Sequence, residues 1–331
     1  MTDTADVRAR AREFQSTFES LSDAVHRLIV GQNDVVEAVL VALFAGGHVL
    51  LEGVPGIGKT MLVKALGDAL HLQKGRIQFT PDLMPADVLG TMVLEEGGGA
   101  RAVRFQPGPI HTNLLLADEI NRATPKTQSA LLEAMQELQA TVGGQTRPLP
   151  RPFAVLATQN PIEQEGTYPL PEAQLDRFLF KLLVGYPKED EYGVILDRTT
   201  GGEIPEIPAV ASGEQVLELR ALVRAVPVPE AARREAARLA MATQPHSPYA
   251  TPRVNEFVML GSSPRGAQAL VLAAKVQALR DGRHAVAVDD VRAHAIPALR
   301  HRVLLNFEGL GQGLRTDDLL VEILEKTAGK P

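Results

Sequence analysis

The sequence predicts an α/β fold built on a central parallel sheet of five strands with inserted β-hairpins, followed by a small all-α domain. Three observations lead to this prediction. A glycine-rich loop at 53–60 separates an apolar segment from a helical pattern. The apolar runs 114–117 and 153–158 are each followed directly by polar residues. The sequence after residue 212 has a helical pattern and contains no convincing pair of strands. Strand, glycine-rich turn and helix in that order are typical of nucleotide-binding α/β domains.

The glycine-rich loop reads Gly-Val-Pro-Gly-Ile-Gly-Lys-Thr from Gly53 to Thr60. Its consecutive backbone N–H groups can close around a polyphosphate at the N-terminus of the next helix, where the helix dipole already favours negative charge. Lys59 would reach the β- and γ-phosphates, and the Thr60 hydroxyl would ligate Mg²⁺. We therefore predict a phosphate-binding loop rather than a plain turn between a strand and a helix.

Length, composition and net charge limit the kinds of protein and of functional site that the sequence can form. The chain has 331 residues, enough for two domains, and 45% of them are hydrophobic. It has no cysteine, which excludes disulfides and thiolate metal ligands and fits a reducing cytoplasm. The eight histidines form no H-x-x-x-H pair, so a histidine metal site is not expected. The net charge of −6, without a block of like charges, disfavours sequence-independent nucleic-acid binding as the main role.

The N-terminal segment 1–27 predicts an amphipathic helix and not a signal peptide, because its apolar residues recur at helical spacing with acidic residues between them. These apolar residues are Phe14, Phe18, Leu21 and Val25. The longest apolar run, 38–51, contains two glycines and a histidine and is too short to span a membrane. We therefore expect a cytoplasmic protein without membrane insertion.

The other elements follow in chain order, in a core domain at 28–187, a helix and linker at 188–211 and a helical domain at 212–331. The core is predicted to contain helices at 34–44 and 127–139 and strands at 48–51, 76–80, 114–117, 153–158 and 179–184. Glycine-rich turns join 91–94 to 102–105 and 140–142 to 145–147, which predicts two hairpins. The helical domain is predicted to contain helices at 214–226, 230–243, 268–280 and 291–305, the last capped by Asp289 or Asp290 and kinked at Pro297.

Two acidic residues, Asp118 and Glu119, directly follow the strand 114–117. A buried parallel strand delivers its last residues to the carboxyl edge of the sheet, beside the phosphate-binding loop. Asp118 can therefore complete the coordination shell of Mg²⁺, and Glu119 can polarise the water that attacks the γ-phosphate. An Asp-Glu turn on the surface is the alternative.

Three further residues are candidates for catalysis. Asn160 follows the strand 153–158 at the same edge, where its amide can hold the attacking water or touch the γ-phosphate, although asparagine before proline is also an ordinary turn former. Arg265 stands at a helix N-terminus, which is a poor place for a cation unless an anion lies nearby. Arg265 is therefore a candidate γ-phosphate sensor, with plain solvent exposure as the alternative. Arg177 could be no more than the ion-pair partner of Asp176.

Together these segments resemble the MoxR family of AAA+ ATPases over about residues 28–307. The motifs that carry the resemblance are the loop at 53–60, Leu-Leu-Leu-Ala-Asp-Glu-Ile-Asn-Arg-Ala at 114–123, Ala-Thr-Gln-Asn-Pro at 157–161, Leu-Pro-Glu-Ala-Gln-Leu-Asp-Arg-Phe at 170–178 and Ser-Pro-Arg at 263–265. The stretches 125–137 and 162–168 also follow the family pattern. Thr124 stands where the family often has proline, a difference that we expect to be neutral.

The resemblance implies a P-loop AAA+ domain with a lid domain, and ATP hydrolysis by a ring, expected to be hexameric, with nucleotide between neighbouring subunits. Asn160 corresponds to sensor 1, Arg265 to sensor 2, and Arg177 to the arginine finger that reaches the γ-phosphate of the next subunit. The hairpins correspond to inserts that point toward the pore or the client. The implied ATP contacts are Val30, Gly31, Val54, Pro55, Gly56, Ile57, Gly58, Lys59, Thr60 and Met61, and the implied Mg²⁺ ligands are Thr60 and Asp118.

The resemblance also implies partners: a protein with a von Willebrand factor A domain and a protein client, in chaperone-like assembly of complexes or insertion of a metal or cofactor. Two alternatives stay open. One is a nucleic-acid motor, for which the hairpins offer Arg101, Arg104 and Arg147 but a single aromatic residue, Phe105. The other is the ATPase subunit of a metal chelatase. A small-molecule kinase is the weakest alternative, because it needs neither an arginine from a neighbour nor a water-directing carboxylate.

Overall fold

The computed structural model describes residues 4–54, 58–97, 100–160, 166–201 and 205–327. Its strands, numbered along the chain, are β1 (Val49–Gly53), β2 (Lys74–Gln78), β3 (Gly90–Gly97), β4 (Ala100–Pro107), β5 (Leu114–Asp118), β6 (Gln139–Val142), β7 (Gln145–Pro148), β8 (Ala154–Gln159), β9 (Phe180–Val184), β10 (Val258–Leu260) and β11 (Leu304–Leu305). Its α-helices are α1 (Thr4–His26), α2 (Asn33–Ala45), α3 (Lys59–Ala69), α4 (Pro85–Leu89), α5 (Pro125–Glu137), α6 (Glu172–Leu175), α7 (Glu189–Thr200), α8 (Gly213–Ala225), α9 (Glu230–Ala242), α10 (Pro252–Phe257), α11 (Pro264–Arg280), α12 (Val288–Ala293), α13 (Ala295–Leu299), α14 (Phe307–Gly311) and α15 (Thr316–Thr327).

Five strands form one parallel sheet in the order β2–β5–β8–β1–β9, which confirms the predicted core. Alternate residues face opposite sides of the sheet, so that Leu114 and Leu116 join one hydrophobic core while Leu115 and Ala117 join the other. Both faces are thus covered, as a parallel sheet requires. Because the strands all run in the same direction, the residues that follow β1, β5 and β8 meet at one edge.

Two antiparallel hairpins, β3–β4 and β6–β7, project from this core, as predicted. They touch each other, because the guanidinium of Arg147 lies 4.0 Å above the ring of Phe105 and Met92 packs closely against Gly143. The predicted turn glycines Gly98 and Gly99 lie outside the described residues. The two hairpins therefore pack against each other as one unit.

The N-terminal helix α1 is the amphipathic helix that the sequence predicts, and it belongs to the main core. Phe14 and Phe18 are buried against Phe44 of α2, at ring-centroid distances of 4.9 and 6.0 Å. The helix also packs against α3 and against α11 of the lid. In the described part of the chain no helix is long and apolar enough to cross a membrane.

The lid confirms three of the predicted helices, which appear as α8, α9 and α11. Ser212 caps α8, since its hydroxyl accepts the N–H of Gln215 at 3.3 Å. A short antiparallel pair, β10 with β11, was not predicted. The lid is therefore helical with one small strand pair and not strictly all-α.

The prediction of one helix at 291–305 is wrong. The chain forms α12 and α13 instead, separated at His294. Pro297 has no N–H to donate to the carbonyl of Ala293, and its ring crowds that carbonyl, so the helix is interrupted before Pro297 and restarts as α13, with Pro297 near its beginning. The N-cap residue of α12 is Ala287 and not Asp289 or Asp290. Asp290 still takes part in capping, because it accepts the N–H of Ala287 at 2.7 Å from the first turn, as the third residue of a capping box does.

Arginines of the lid connect it to the core domain. Arg280 donates two hydrogen bonds to Glu37 of α2, at 2.9 and 2.7 Å. Arg220 donates to the carbonyl of Leu43 at 2.8 Å. Arg302 contacts the segment that precedes β9. The lid is thus fixed to the core on the side of α2 and β9.

Candidate functional site

A cleft of about 310 Å³ lies at the carboxyl edge of the sheet. Its walls come from the start of α3, the ends of β2 and β5, and the end of β8 with the residue after it. The lining residues are Gly58, Lys59, Thr60, Met61, Arg76, Gln78, Asp118, Glu119, Thr158 and Asn160. The structure therefore brings the predicted Asp118, Glu119 and Asn160 together with the phosphate-binding loop.

The loop itself is described at its two ends. Val54 follows β1, and Gly58 adopts a left-handed conformation with φ of 86° directly before α3. Pro55, Gly56 and Ile57 lie outside the described residues. The ammonium of Lys59 donates to the carbonyl of Gly53 at 2.8 Å. Burial lowers the pKa of Lys59, and the nearby carboxylates of Asp118, Glu119 and Glu52 oppose that shift.

Asp118 and Glu119 are held by a network that includes a buried threonine. The hydroxyl of Thr158 donates to Oδ1 of Asp118 at 2.7 Å and accepts the backbone N–H of Glu119 at 2.8 Å. Arg76 donates to Oδ2 of Asp118 at 2.7 Å. This network fixes the turn at Glu119, whose φ of 56° is uncommon for a residue other than glycine.

The side chain of Glu119 is fixed separately. Its Oε2 accepts hydrogen bonds from Gln78 at 2.7 Å and from Arg122 at 3.0 Å. Asn160, which is largely buried, lines the same cleft from the end of β8. A carboxylate and an amide thus flank the space next to Lys59 and Thr60, which is an arrangement suited to orienting a water molecule against a phosphate.

The donor set suits Mg²⁺ that arrives with a nucleotide. Among the described residues, no three histidine, aspartate or glutamate side chains cluster as a preformed metal site. The Thr60 hydroxyl and the Asp118 carboxylate are oxygen donors on the same cleft. Mg²⁺ keeps several waters and typically takes one or two protein ligands together with phosphate oxygens, so these two residues fit.

An apolar cleft of about 390 Å³ adjoins the first one and shares Gly58 and Met61 with it. Val30, one of the ATP contacts that the resemblance implies, lines this cleft. Gly31 beside it has φ of 65° and lies against the carboxylate of Glu191. The aromatic and aliphatic side chains of α7 and the turn before it complete the wall: Tyr186, Tyr192 and Ile195. A flat purine base fits such a surface.

Arg177 and Arg265 lie elsewhere. They line a third cleft, of about 240 Å³, with Gly47 and His48, which precede β1. This is the amino edge of the sheet, and β1, with five residues at about 3.3 Å each, separates the two edges by roughly 16 Å. Among the described residues, none lines both this cleft and the phosphate-binding cleft. The four predicted catalytic residues therefore form two separate pairs within one chain.

The surroundings of the two arginines differ. Arg265 is partly exposed, and its Nη1 lies 3.7 Å from Oδ2 of Asp176. The Nε atom of Arg177 is buried and has no hydrogen-bond partner among the residues that the structure describes. Asp176, expected as the possible partner of Arg177, instead binds Arg302 at 2.7 Å.

Sequence reasoning missed Arg76, Gln78 and Thr158. Arg76 and Gln78 are two residues apart on β2, so both side chains point to the same side of the strand, next to the acidic pair. That spacing was a usable signal. Thr158 gave none, because it reads as an ordinary residue of a buried strand.

Comparisons with known proteins agree with this architecture. Residues 48–180 match the family described as "ATPase family associated with various cellular activities (AAA)", and residues 250–323 match the "AAA lid domain". The chain is 44% identical over 303 residues to the uncharacterized protein YeaC of Bacillus subtilis, covering 91% of each chain. It is 42% identical over 312 residues to the chaperone MoxR1 of Mycobacterium tuberculosis, covering 94% of this chain and 82% of that one. A crystal structure of a presumed ATPase from Cytophaga hutchinsonii superposes with a TM-score of 0.91 at 38% identity over 98% of both chains.

Proposed function

Because the chain belongs to the MoxR family of AAA+ ATPases, we propose that it hydrolyses ATP as a ring of identical subunits, expected to be a hexamer, and that it uses hydrolysis to remodel protein assemblies. The observation that supports a ring most strongly is the separation of Arg177 and Arg265 from the phosphate-binding cleft. Arginines that cannot reach the nucleotide of their own chain can serve the nucleotide of a neighbour.

Within one subunit, the purine lies in the apolar cleft beside Tyr192, and the phosphates lie against the loop from Val54 to Thr60. Lys59 exchanges its bond to Gly53 for the β- and γ-phosphates. Thr60 and Asp118 would hold Mg²⁺, which would neutralise negative charge on the phosphate oxygens.

The hydrolytic step uses the fixed carboxylate. Gln78 and Arg122 hold Oε2 of Glu119, and we assign Oε1 to the attacking water. Oε1 accepts a proton of that water as the water oxygen bonds to the γ-phosphorus, while the bond from the γ-phosphorus to the β,γ-bridging oxygen breaks and ADP leaves with that oxygen. Asn160 orients that water or contacts the γ-phosphate. Arg177 and Arg265 of the neighbouring subunit stabilise the negative charge on the γ-phosphate, and an arginine supplied in this way is commonly worth about 10³-fold or more in rate.

Subunit mixing tests this arrangement. Arg177→Ala should bind ATP normally and hydrolyse it poorly, and Lys59→Ala should neither bind nor hydrolyse it. Mixed before assembly, the two variants should recover ATPase activity, because some interfaces then combine an intact cleft with an intact arginine pair. Arg177→Ala turning over at the wild-type rate, or a mixture no more active than its parts, would contradict the proposal.

We further propose that the client is a protein, engaged with a partner that carries a von Willebrand factor A domain, in complex assembly or metal or cofactor insertion. The name of the chaperone MoxR1 supports this, and so does the hairpin β3–β4, where Leu94 and Val103 face each other at 57% and 65% exposure. The cysteine-free sequence suits the reducing cytoplasm, where we place this activity.

A nucleic-acid motor is less well supported. Arg104 pairs with Glu95 at 3.3 Å, and Arg147 stacks on Phe105, so these hairpin arginines already have partners within the chain. Affinity capture with Glu119→Gln, with and without ATP, separates the two functions. Protein partners enriched only with ATP support remodelling, whereas nuclease-sensitive nucleic acid as the main captured species would contradict it.

A further inference from the structure

The side chain of Arg302 is almost fully enclosed, at 3% exposure, where the lid meets the core. It follows α13 and was not singled out by its sequence. Its guanidinium makes five hydrogen bonds, which uses the full donor set of an arginine. One of these, to the carbonyl of Ala298, stays within the lid. The other four cross to the core.

All four crossing bonds end on the short segment 176–179. Nε donates to the carboxylate of Asp176 at 2.7 Å, and Nη2 donates to the carbonyls of Asp176 at 3.0 Å and Phe178 at 2.6 Å. Nη1 donates to the carbonyl of Leu179 at 3.2 Å. The acceptors therefore lie on both sides of Arg177, and the backbone that carries Arg177 is held at each neighbouring residue.

The carboxylate of Asp176 extends this link to the second arginine. Its Oδ1 is bound by Arg302, and its Oδ2 accepts the hydroxyl of Ser263 at 2.8 Å. The same Oδ2 lies 3.7 Å from Nη1 of Arg265, two residues after Ser263. Ser263 is the N-cap residue of α11, so Asp176 connects Arg302 to the start of the helix that carries Arg265.

Other arginines join the lid to the core without touching this segment. Arg300, two residues before Arg302, pairs with Asp317 at 2.7 Å and donates to the carbonyl of Lys181 at 3.4 Å. Its side chain is also mostly enclosed. A residue that serves only to attach the lid should behave like Arg300 when it is replaced, and this offers a matched control.

We propose that Arg302 is a positioning residue that, through Asp176, sets Arg177 and Arg265 as one rigid pair for the nucleotide of the neighbouring subunit. This rests on the proposed function, in which the two arginines act on a neighbour. The orientation of the lid then determines where both arginines lie. A shift of Arg302 would move the segment 176–179 relative to the start of α11, and Arg177 and Arg265 with them.

The test replaces Arg302 by methionine, which fills similar space without donors, and by lysine, which keeps the charge but lacks the planar fork. Each variant should lose kcat by about 10²-fold, as expected for misplaced catalytic groups, while its own affinity for ATP changes less than a few-fold. Arg300→Met should keep the wild-type kcat. Thermal unfolding checks that each variant is folded. If Arg302→Met does not fold, Arg302→Lys alone tests the positioning role.

Mixing separates a positioning role from a general structural one. Each Arg302 variant keeps an intact phosphate cleft and should recover activity when mixed with Lys59→Ala, whose arginine pair is intact. In an equimolar random ring about a quarter of interfaces combine the two intact halves. Arg177→Ala mixed with Lys59→Ala is the reference, and its failure to recover would overturn the action on a neighbour together with this inference.

Recovery in the reference but not with either Arg302 variant would overturn the positioning role alone. A wild-type kcat in Arg302→Lys, or an equal loss in Arg300→Met, would overturn it as well.

Discussion

Thr158 gives the sharpest prediction about the phosphate cleft, because one buried hydroxyl connects both acidic residues. It is 1% exposed, donates to Asp118 and accepts the N–H of Glu119. Thr158→Val keeps the shape and removes both bonds. A hydrogen bond to a charged group is worth about 1.5–3 kcal/mol and a neutral one about 0.5–1.5 kcal/mol, so the nucleotide-free protein should lose about 2–4.5 kcal/mol of unfolding free energy.

The same change should lower kcat, since the turn at Glu119 loses the bond that fixes its left-handed backbone. We expect a loss of about 10- to 100-fold at saturating ATP, with ATP affinity changed less than a few-fold. Thr158→Ser keeps the hydroxyl and should retain most of both properties. Urea denaturation and steady-state ATPase assays measure the two effects.

A distant threonine offers the control. Thr327 is also buried, but it lies at the end of α15. Its hydroxyl donates a hydrogen bond to the carbonyl of Ile323 and accepts one from the guanidinium of Arg292. Thr327→Val should therefore destabilise the protein without lowering kcat. A kcat within twofold of the wild type in Thr158→Val, or an equal loss of kcat in Thr327→Val, would refute this role of the Thr158 hydroxyl.

Three further predictions concern the core, the N-terminal helix and the base cleft. Burial lowers the pKa of three histidines, to about 4 for two of them and well below the usual value for the third: His48, His294 and His301. The unfolded chain binds their protons first, so unfolding free energy in urea should fall as pH drops from about 6.5 toward 4, and a constant value from pH 7 to 5 would contradict this. Phe14→Ala should cost about 3–5 kcal/mol in the same assay, whereas Phe307→Ala, at 94% exposure, should cost less than about 0.5 kcal/mol, and equal costs would mean that α1 does not belong to the core. Tyr192→Ala should weaken ATP binding about tenfold in an equilibrium titration while Tyr192→Phe binds normally, and an unchanged affinity in Tyr192→Ala would place the base elsewhere.

The sheet and its phosphate edge could be predicted because the information is local. Each strand is a short apolar run, and the loop from Gly53 to Thr60 has the glycine, lysine and threonine spacing that is typical of phosphate binding. The polar residues after β5 and β8 must meet at one edge of a parallel sheet. The placement of Asp118 and Asn160 on one cleft follows from those facts alone.

The rest depends on contacts between distant segments. Arg302 lies 126 residues from Asp176, and nothing near it in the sequence marks it as more than a helix residue. Tyr192 fell in a stretch interpreted as a helix and linker, although α7 forms a wall of the base cleft. The break at His294 was predictable in kind, since Pro297 was expected to kink the helix, but the strand β11 depends on pairing with β10.

Whether neighbouring subunits complete each ATPase site is tested most directly by the ATPase rate per subunit as a function of protein concentration, with the assembly state of the same samples measured by sedimentation. If each site needs Arg177 and Arg265 from a neighbour, the rate per subunit should rise in proportion to the assembled fraction, by about 10³-fold or more between monomer and ring. Full turnover per subunit in samples that sediment only as monomer would show that the site needs no arginine from a neighbour.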